Sequence, residues 1–300
     1  MRTEEVNTKN GIIVKLTGGF YYVEVDGEIY ECKARGSFRN KEMSPVVGDK
    51  VRISVMDDGY HSIEEIFERK NFLVRPALSN LDVLVIVVSA TEPVPNTIII
   101  DKLTAAAVSL GIMPYIVFSK TDLENVDSLA EIYRNAGFRT FLYSNGDVES
   151  VENLRAELSS KLIAFIGNSG VGKSTLINNL YPELSLETGK ISKKLGRGKH
   201  TTRTVELFST PDGYIADTPG FSTIDLERYN LWEKDKLMHY FPEFEDYITD
   251  CQFTSCMHTC EKGCAVIDAV NRGEISESRH RSYVEMYNEV KDIKPWQVKG

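Results

Sequence analysis

No apolar run in these 300 residues approaches the roughly 18 needed to cross a bilayer. The longest, Leu81 to Ala90, carries Asp82 and suits a buried parallel strand. An excess of positive charge is missing as well. The formal net charge is -9, which argues against a protein coated in positive charge to hold nucleic acid. There is no internal repeat and no low-complexity segment. The polar start Met1-Arg2-Thr3-Glu4-Glu5 lacks the apolar core of a signal peptide. A cytoplasmic protein with no membrane partner is therefore expected. Cysteine is sparse outside one place. Cys32 stands apart, while Cys251, Cys256, Cys260 and Cys264 crowd into one short stretch. In a cytosolic chain such a cluster favours metal over disulfides.

What is present falls into three regions, an expected domain at 1–70, another at 71–225 and a third at 226–300. The first holds short alternating strands at Gly11–Leu16, Phe20–Val25, Glu28–Ala34 and Lys50–Val55. Gly18-Gly19, Asp26-Gly27 and Asp58-Gly59 punctuate them as turns. Short strands of even spacing predict a small β-barrel of the OB kind. Lys33, Arg35, Arg39 and Lys41, with Phe38 among them, can supply an RNA contact or form a solvated hairpin loop.

The second region alternates strand and helix. Strands are expected at Asp82–Val88, Tyr115–Phe118, Thr140–Tyr143 and Ile163–Ile166, with helices at Ile98–Leu110, Val126–Ala136, Val151–Leu158 and Lys173–Leu180. That rhythm predicts a mainly parallel sheet covered on both faces. Two shorter strands, Val205–Ser209 and Tyr214–Ala216, follow. The third region is polar and helical, with helices predicted over Leu231–Phe241 and Ser276–Val290.

Gly167-Asn168-Ser169-Gly170-Val171-Gly172-Lys173-Ser174 reads G-x-x-x-x-G-K-S between a strand and a helix, the setting of a phosphate-binding P-loop. Its glycines let the backbone bend so that successive N–H groups face phosphate, and Thr175 continues the helix start. Lys173 is placed to reach the β- and γ-phosphates and Ser174 to put its hydroxyl on Mg²⁺. Asp217-Thr218-Pro219-Gly220 follows a short apolar strand. It fits the D-x-x-G pattern, with Asp217 reaching Mg²⁺ through water and the Gly220 N–H touching the γ-phosphate. Between the two motifs, Gly196 to Arg203 offers Thr201 and Thr202 to the ion, Thr202 preferred, in a glycine-containing segment suited to switching. That segment lies in a basic stretch of Lys190, Lys193, Lys194, Arg197, Lys199 and Arg203 with no acid. Nucleic acid can meet it locally, or it is a solvated loop.

Ser119-Lys120-Thr121-Asp122 ends the strand Tyr115–Phe118. The Asp122 carboxylate can accept from the ring N–H and amine of guanine, a donor pair adenine lacks. The Lys120 stem would cover the base. Ser119 stands where the usual motif has Asn; it keeps a hydroxyl but lacks the amide that braces neighbouring loops. Ser144-Asn145, after the next strand, occupies the place of a second guanine loop. In an ordinary small GTPase the guanine motif follows the P-loop. Here it precedes it, which points to circular permutation.

Cys251-x₄-Cys256-x-His258-x₅-Cys264 offers three thiolates and one imidazole, a closed tetrahedral set that reads as one structural Zn²⁺. Spacing leaves Cys260 open as a ligand in place of His258. Further along, Arg272, Arg279, His280, Arg281 and Tyr283 can contact nucleic acid or form a solvated helix face.

In this combination and order the chain resembles the RsgA family of ribosome-dependent, circularly permuted GTPases, also called YjeQ and YloQ. The similarity spans essentially its whole length. It rests on the barrel-like start, Asn71-x-Leu73-x-Arg75-Pro76, S-K-T-D, G-N-S-G-V-G-K-S, G-R-G-K-H-T-T-R, D-T-P-G and the Cys/His cluster. The resemblance implies a multidomain α/β protein with an N-terminal OB fold, a permuted P-loop GTPase domain and a C-terminal helical zinc domain. It selects Cys251, Cys256, His258 and Cys264 as the zinc ligands. It further implies binding to the small ribosomal subunit and its rRNA, with GTP and GDP as ligands and a role in late subunit maturation. A monomer is expected. Where many small GTPases carry a water-positioning Gln, this chain has Phe221, which cannot orient water. His200, Lys173 and Thr202 are the candidate catalytic residues; His200 or the ribosome can replace the missing Gln, and Arg197 or Arg203 can stabilise charge or contact rRNA.

Overall fold

The computed structural model describes residues 7–35, 38, 44–56, 59–74, 76–187, 205–217 and 233–293. His200, Thr202, Gly220, Phe221, Arg39, Lys41, Arg75 and the basic stretch 190–203 lie outside them. Two compact units interleave along the chain. The described residues within Met1–Val83, Leu158–Ala164 and Tyr181–Phe221 form one, and those within Leu84–Glu157, Phe165–Leu180 and Ser222–Gly300 the other.

In the first unit, β1 (Asn7–Thr17), β2 (Phe20–Val25), β3 (Glu28–Ala34), β4 (Lys50–Val55) and β5 (His61–Ile66) close on themselves. β1 pairs antiparallel with β2 and with β4, β2 pairs with β3, and β5 joins β3 to β4. Asp26 and Gly27 both take positive φ, 51° and 83°. That is the geometry of a two-residue turn matched to strand twist. Ile13, Val23, Cys32, Val51, Ile53 and Ile63 are fully buried inside. β5 was not foreseen, because Ile63 alone among its six residues is buried and no alternation marks it.

A polar post supports the barrel. Asp49 is fully buried and receives Arg69 Nε at 2.7 Å and Nη2 at 2.8 Å. Ser79 Oγ donates to the same carboxylate at 2.6 Å. Asn71, singled out in the sequence, donates to the Leu81 carbonyl at 2.8 Å and accepts the Leu81 N–H at 2.9 Å. These bonds lock the hairpin of β6 (Phe72–Val74) and β7 (Ala77–Ser79). β12 (Glu206–Thr210) pairs with β1 at Lys15↔Glu206 and with β13 (Gly213–Asp217). β13 runs parallel to the first residues of β11 (Leu162–Ile166), Ala164 opposite Ala216. The short helix α5 is Pro182–Glu187.

In the second unit β8 (Val83–Ser89), β9 (Met113–Ser119) and β10 (Arg139–Tyr143) lie in that order. β8 is buried along its whole length, as a strand covered on both faces must be. Helices α1 (Thr97–Ser109), α2 (Asp127–Asn135), α3 (Val148–Leu158) and α4 (Lys173–Leu180) fall within about three residues of their expected bounds.

The helix expected over Leu231–Phe241 is corrected. Its described part is a single 3₁₀ turn at Leu237–Tyr240. Phe241 leaves the helical region, φ −115° and ψ 87°, because Pro242 follows. Then come α6 (Glu245–Ile248), α7 (Ala265–Asn271) and α8 (Glu277–Val290). Phe241, Phe244 and Tyr283 are fully buried, their ring centroids 5.0–5.3 Å apart. This polar segment thus has an aromatic core that its composition concealed.

Candidate nucleotide site and metal centre

The P-loop leaves β11 and opens α4. Gly167, Gly170 and Gly172 take φ of 155°, 85° and 90°. A Cβ at Gly167 would collide with the Val87 carbonyl oxygen, so only glycine allows this approach to β8. Lys173 Nζ donates to the Gly167 carbonyl at 2.5 Å and the Asn168 carbonyl at 3.3 Å. Burial holds its ammonium below the ordinary lysine value. An anion in the loop is the natural counter-charge for a half-buried cation. Ser174 and Thr175 present their side chains at the surface of the first helical turn.

The guanine motif meets this loop directly. Ser119 is buried, and its Oγ lies 2.6 Å from the Val171 carbonyl oxygen and 3.2 Å from that of Val88. The hydroxyl that serine keeps thus ties the motif to the P-loop through Val171. Lys120 adopts φ 59° and donates to the Glu92 carbonyl at 2.6 Å. The Thr121 N–H donates to the Tyr143 carbonyl at 3.3 Å, which joins the motif to the end of β10. Asp122 is exposed. Burial, and secondarily the Asp122 charge, raise the Tyr143 phenol above its usual value, against a lowering by Asn179.

Ser144 and Asn145 form a turn in which the Asp147 N–H returns to the Ser144 carbonyl at 3.2 Å. Asp147 then caps α3 by accepting the Ser150 N–H at 3.2 Å. Asn179 of α4 reaches this turn, a contact no sequence motif announced. Within one unit the 119–122 motif is hydrogen-bonded to the P-loop through Ser119 and Val171, and the 144–145 turn is reached by Asn179 of the helix that the P-loop opens. Asp217 ends β13, buried, in the first unit.

Cys251, Cys256, His258 and Cys264 bring their ligand atoms within 4.8 Å of one another. Cys251 Sγ lies 3.5 Å from His258 Nδ1 and 3.9 Å from Cys264 Sγ, and His258 Nδ1 lies 3.4 Å from Cys264 Sγ. A tetrahedron with zinc–sulfur bonds of about 2.3 Å and zinc–nitrogen bonds of about 2.0 Å has edges of about 3.5–3.8 Å. The donor set fits one zinc ion. Burial pushes the Cys256 thiol up to about 12 and holds His258 below its ordinary value. Neutral imidazole is the ligating form, and a divalent cation reverses the thiol preference. Cys260 is exposed, and its thiol is not among the clustered ligand atoms.

Glu261 organises this loop and was not foreseen. It accepts N–H groups from Met257 at 3.0 Å, Thr259 at 2.8 Å and Cys260 at 3.0 Å. Burial opposes its charge, but these donors outweigh burial and pull the carboxyl down to about 2. They fix the turn in which His258 takes φ 56°. Behind it, His280 Nε2 donates to the His258 carbonyl and Tyr283 Oη to the Met257 carbonyl, both at 2.7 Å.

Two of the candidate rRNA residues are removed by this packing. Arg279 and Tyr283 are buried. Arg272 is paired with Glu274 at 2.6 Å, and Arg281 is exposed. On the barrel, Lys33 Nζ lies 5.0 Å over the Phe20 ring and beside Tyr21 and Phe38 in a shallow concavity, while Arg35 is paired with Glu64.

The RsgA GTPase family model matches residues 66–227, and the RsgA N-terminal domain model matches residues 10–63. A small ribosomal subunit biogenesis GTPase RsgA from Alkaliphilus metalliredigens is 42% identical over 287 residues, covering 94% of this chain and 97% of the relative. Its counterpart from Halalkalibacterium halodurans is 43% identical over 289 residues, covering 94% and 97%. The crystal structure of YjeQ from Thermotoga maritima superposes with a TM-score of 0.81 at 33% identity, over 96% of this chain and 100% of that one. YloQ, described as a circularly permuted GTPase, gives 0.80 at 33% identity over 98% and 99%. With the barrel, the permuted motif order and the Cys/His cluster all in place along matched chains, this protein belongs to the RsgA family of circularly permuted GTPases.

Proposed function

We propose that this chain is a GTP phosphohydrolase that binds the small ribosomal subunit through its rRNA and assists late maturation of that subunit, with turnover stimulated by the subunit. The observation that carries the reading is the Ser119–Val171 hydrogen bond, which seats the guanine motif on the phosphate loop. Relatives named as small ribosomal subunit biogenesis GTPases support the choice of partner.

The P-loop N–H groups and Lys173 hold the β- and γ-phosphates. Asp122 accepts from the guanine edge, and Ser144-Asn145 closes the base pocket. Ser174, Thr202 and, through water, Asp217 are the residues for Mg²⁺, which neutralises charge on the phosphates when bound. The Gly220 N–H is assigned to the γ-phosphate. His200 stands in for the Gln that Phe221 replaces. One structural zinc ion is held by Cys251, Cys256, His258 and Cys264. Lys33 and the ring of Phe20 offer RNA a cation beside an aromatic face. The domains run over 1–70, 71–225 and 226–300, and the protein works as a cytoplasmic monomer.

GTP hydrolysis by the purified protein, with and without small subunits across a salt series, tests this reading. Strong stimulation that falls steeply with salt is expected, because phosphate contacts dominate such docking. Equal rates with and without subunits would refute it.

A further inference from the structure

Two loops of this pocket need holding for guanine to be read, and Ser119 can hold one. A hydroxyl has a single proton, and at 2.6 Å the Val171 carbonyl of the P-loop is placed to take it. No second proton is left on Ser119 to donate to the turn at Ser144–Asn145.

That brace comes from elsewhere in the fold. Asn179 lies on α4, the helix that opens from the P-loop, and its side chain is half-buried. Its Nδ2 donates to Tyr143 Oη at 2.7 Å and to Asn145 Oδ1 at 3.1 Å. A side-chain amide nitrogen has two protons, one for each acceptor. Tyr143 is itself buried, and its carbonyl takes the Thr121 N–H of the guanine motif. The phenol end of one residue is thus anchored on α4 and its backbone end on the 119–122 loop.

We propose that Asn179 is a positioning residue for base recognition. It carries the second half of the bracing that an asparagine at position 119 would otherwise share, and through Asn145 it sets how tightly guanine is preferred over adenine. This rests on the reading of the pocket as a guanine-nucleotide site. Asn179 lies near the far end of α4 from Lys173 and Ser174, so phosphate binding and base selection are expected to respond separately.

The test uses the full-length, metal-loaded protein with GDP, ADP and GTP. Asn179→Leu keeps the branched outline and heavy-atom count of the side chain, favours the helix, and removes both donors. The expected result is GDP release about tenfold faster and a guanine-over-adenine affinity ratio about tenfold lower, with kcat at saturating GTP within about twofold of wild type, the scale of one or two lost hydrogen bonds. A ratio equal to wild type overturns the proposal. So does an equal weakening of GDP and ADP with a lowered Tm, since that reports a disturbed fold. If wild type itself shows no guanine preference, the GTPase reading falls and the role of Asn179 with it. A selective wild type beside an equally selective variant removes Asn179 alone. Should Asn179→Leu be insoluble, Tyr143→Phe decides: it removes one acceptor and is expected to shift the ratio the same way by about two- to threefold, and no shift overturns the proposal.

Discussion

Arg279 of α8 donates to Asp101 of α1 at 2.7 Å, and both side chains are withdrawn from water. The rest of the guanidinium is also satisfied. Glu243 accepts from Nε at 2.7 Å and Nη2 at 3.1 Å, and Phe241 lies under the charge at 4.6 Å. Burial opposes the charge, but Glu243 and Asp101 outweigh it and hold the guanidinium above its ordinary value. This network fastens α8 to α1 at Asp101, nine residues after Glu92, whose carbonyl Lys120 engages. Arg279→Met leaves two carboxylates without their partner in a dry site. A loss of about 3–5 kcal/mol is expected, measured by chemical denaturation. Replacing exposed Arg281 by Met is expected to cost under about 0.5 kcal/mol.

Removal of the metal tests the cluster. Chelation, or Cys256→Ser, is expected to unfold the segment from 251 onward, because the bound ion contributes on the order of 10 kcal/mol to such small domains. Loss of helical circular dichroism with release of one zinc per chain is the readout. Cys260→Ser is expected to keep full stoichiometry, since its thiol lies outside the donor set.

Ser119→Ala removes the donor that the buried Val171 carbonyl uses. An acceptor left without its partner costs about 1–3 kcal/mol. Weaker GDP binding should follow with little change in far-ultraviolet circular dichroism. Calorimetric titration against wild type gives the answer.

Lys173→Ala removes the cation seated in the P-loop. Turnover is expected to fall about 10²–10³-fold, the scale of losing one preorganised charge-stabilising donor, while Tm in the absence of nucleotide stays near wild type or rises. A burst-free rate equal to wild type would exclude Lys173 from the reaction.

Glu261 gives a pH signature. Its folded pKa is about 2 against an ordinary value of 4.5. A depressed carboxylate stabilises fully above its unfolded value and loses that contribution as pH falls toward its folded one. The stability difference between wild type and Glu261→Gln is thus expected to be constant above about pH 5 and to shrink between 4.5 and 2. Denaturation of both proteins across that range measures it.

Local signals were readable where one stretch of chain does one job. β2, β3 and β4 have the predicted bounds because their alternation and turns are local. The P-loop was readable because backbone phosphate binding needs glycine at fixed places. β5 and α7 were not, since each buries one or two residues and leaves no periodic trace. The sequence by itself determined the chemistry on offer: Lys173, Asp122 and a set of three thiols with one imidazole, in permuted order. Only the tertiary structure decided which partners those groups meet. Ser119 found Val171, Asn179 found Asn145, and Arg279 turned from solvent to Asp101, over separations of 52, 34 and 178 residues. Side-chain pairing at such distances depends on how whole elements pack, and no spacing along the chain encodes it.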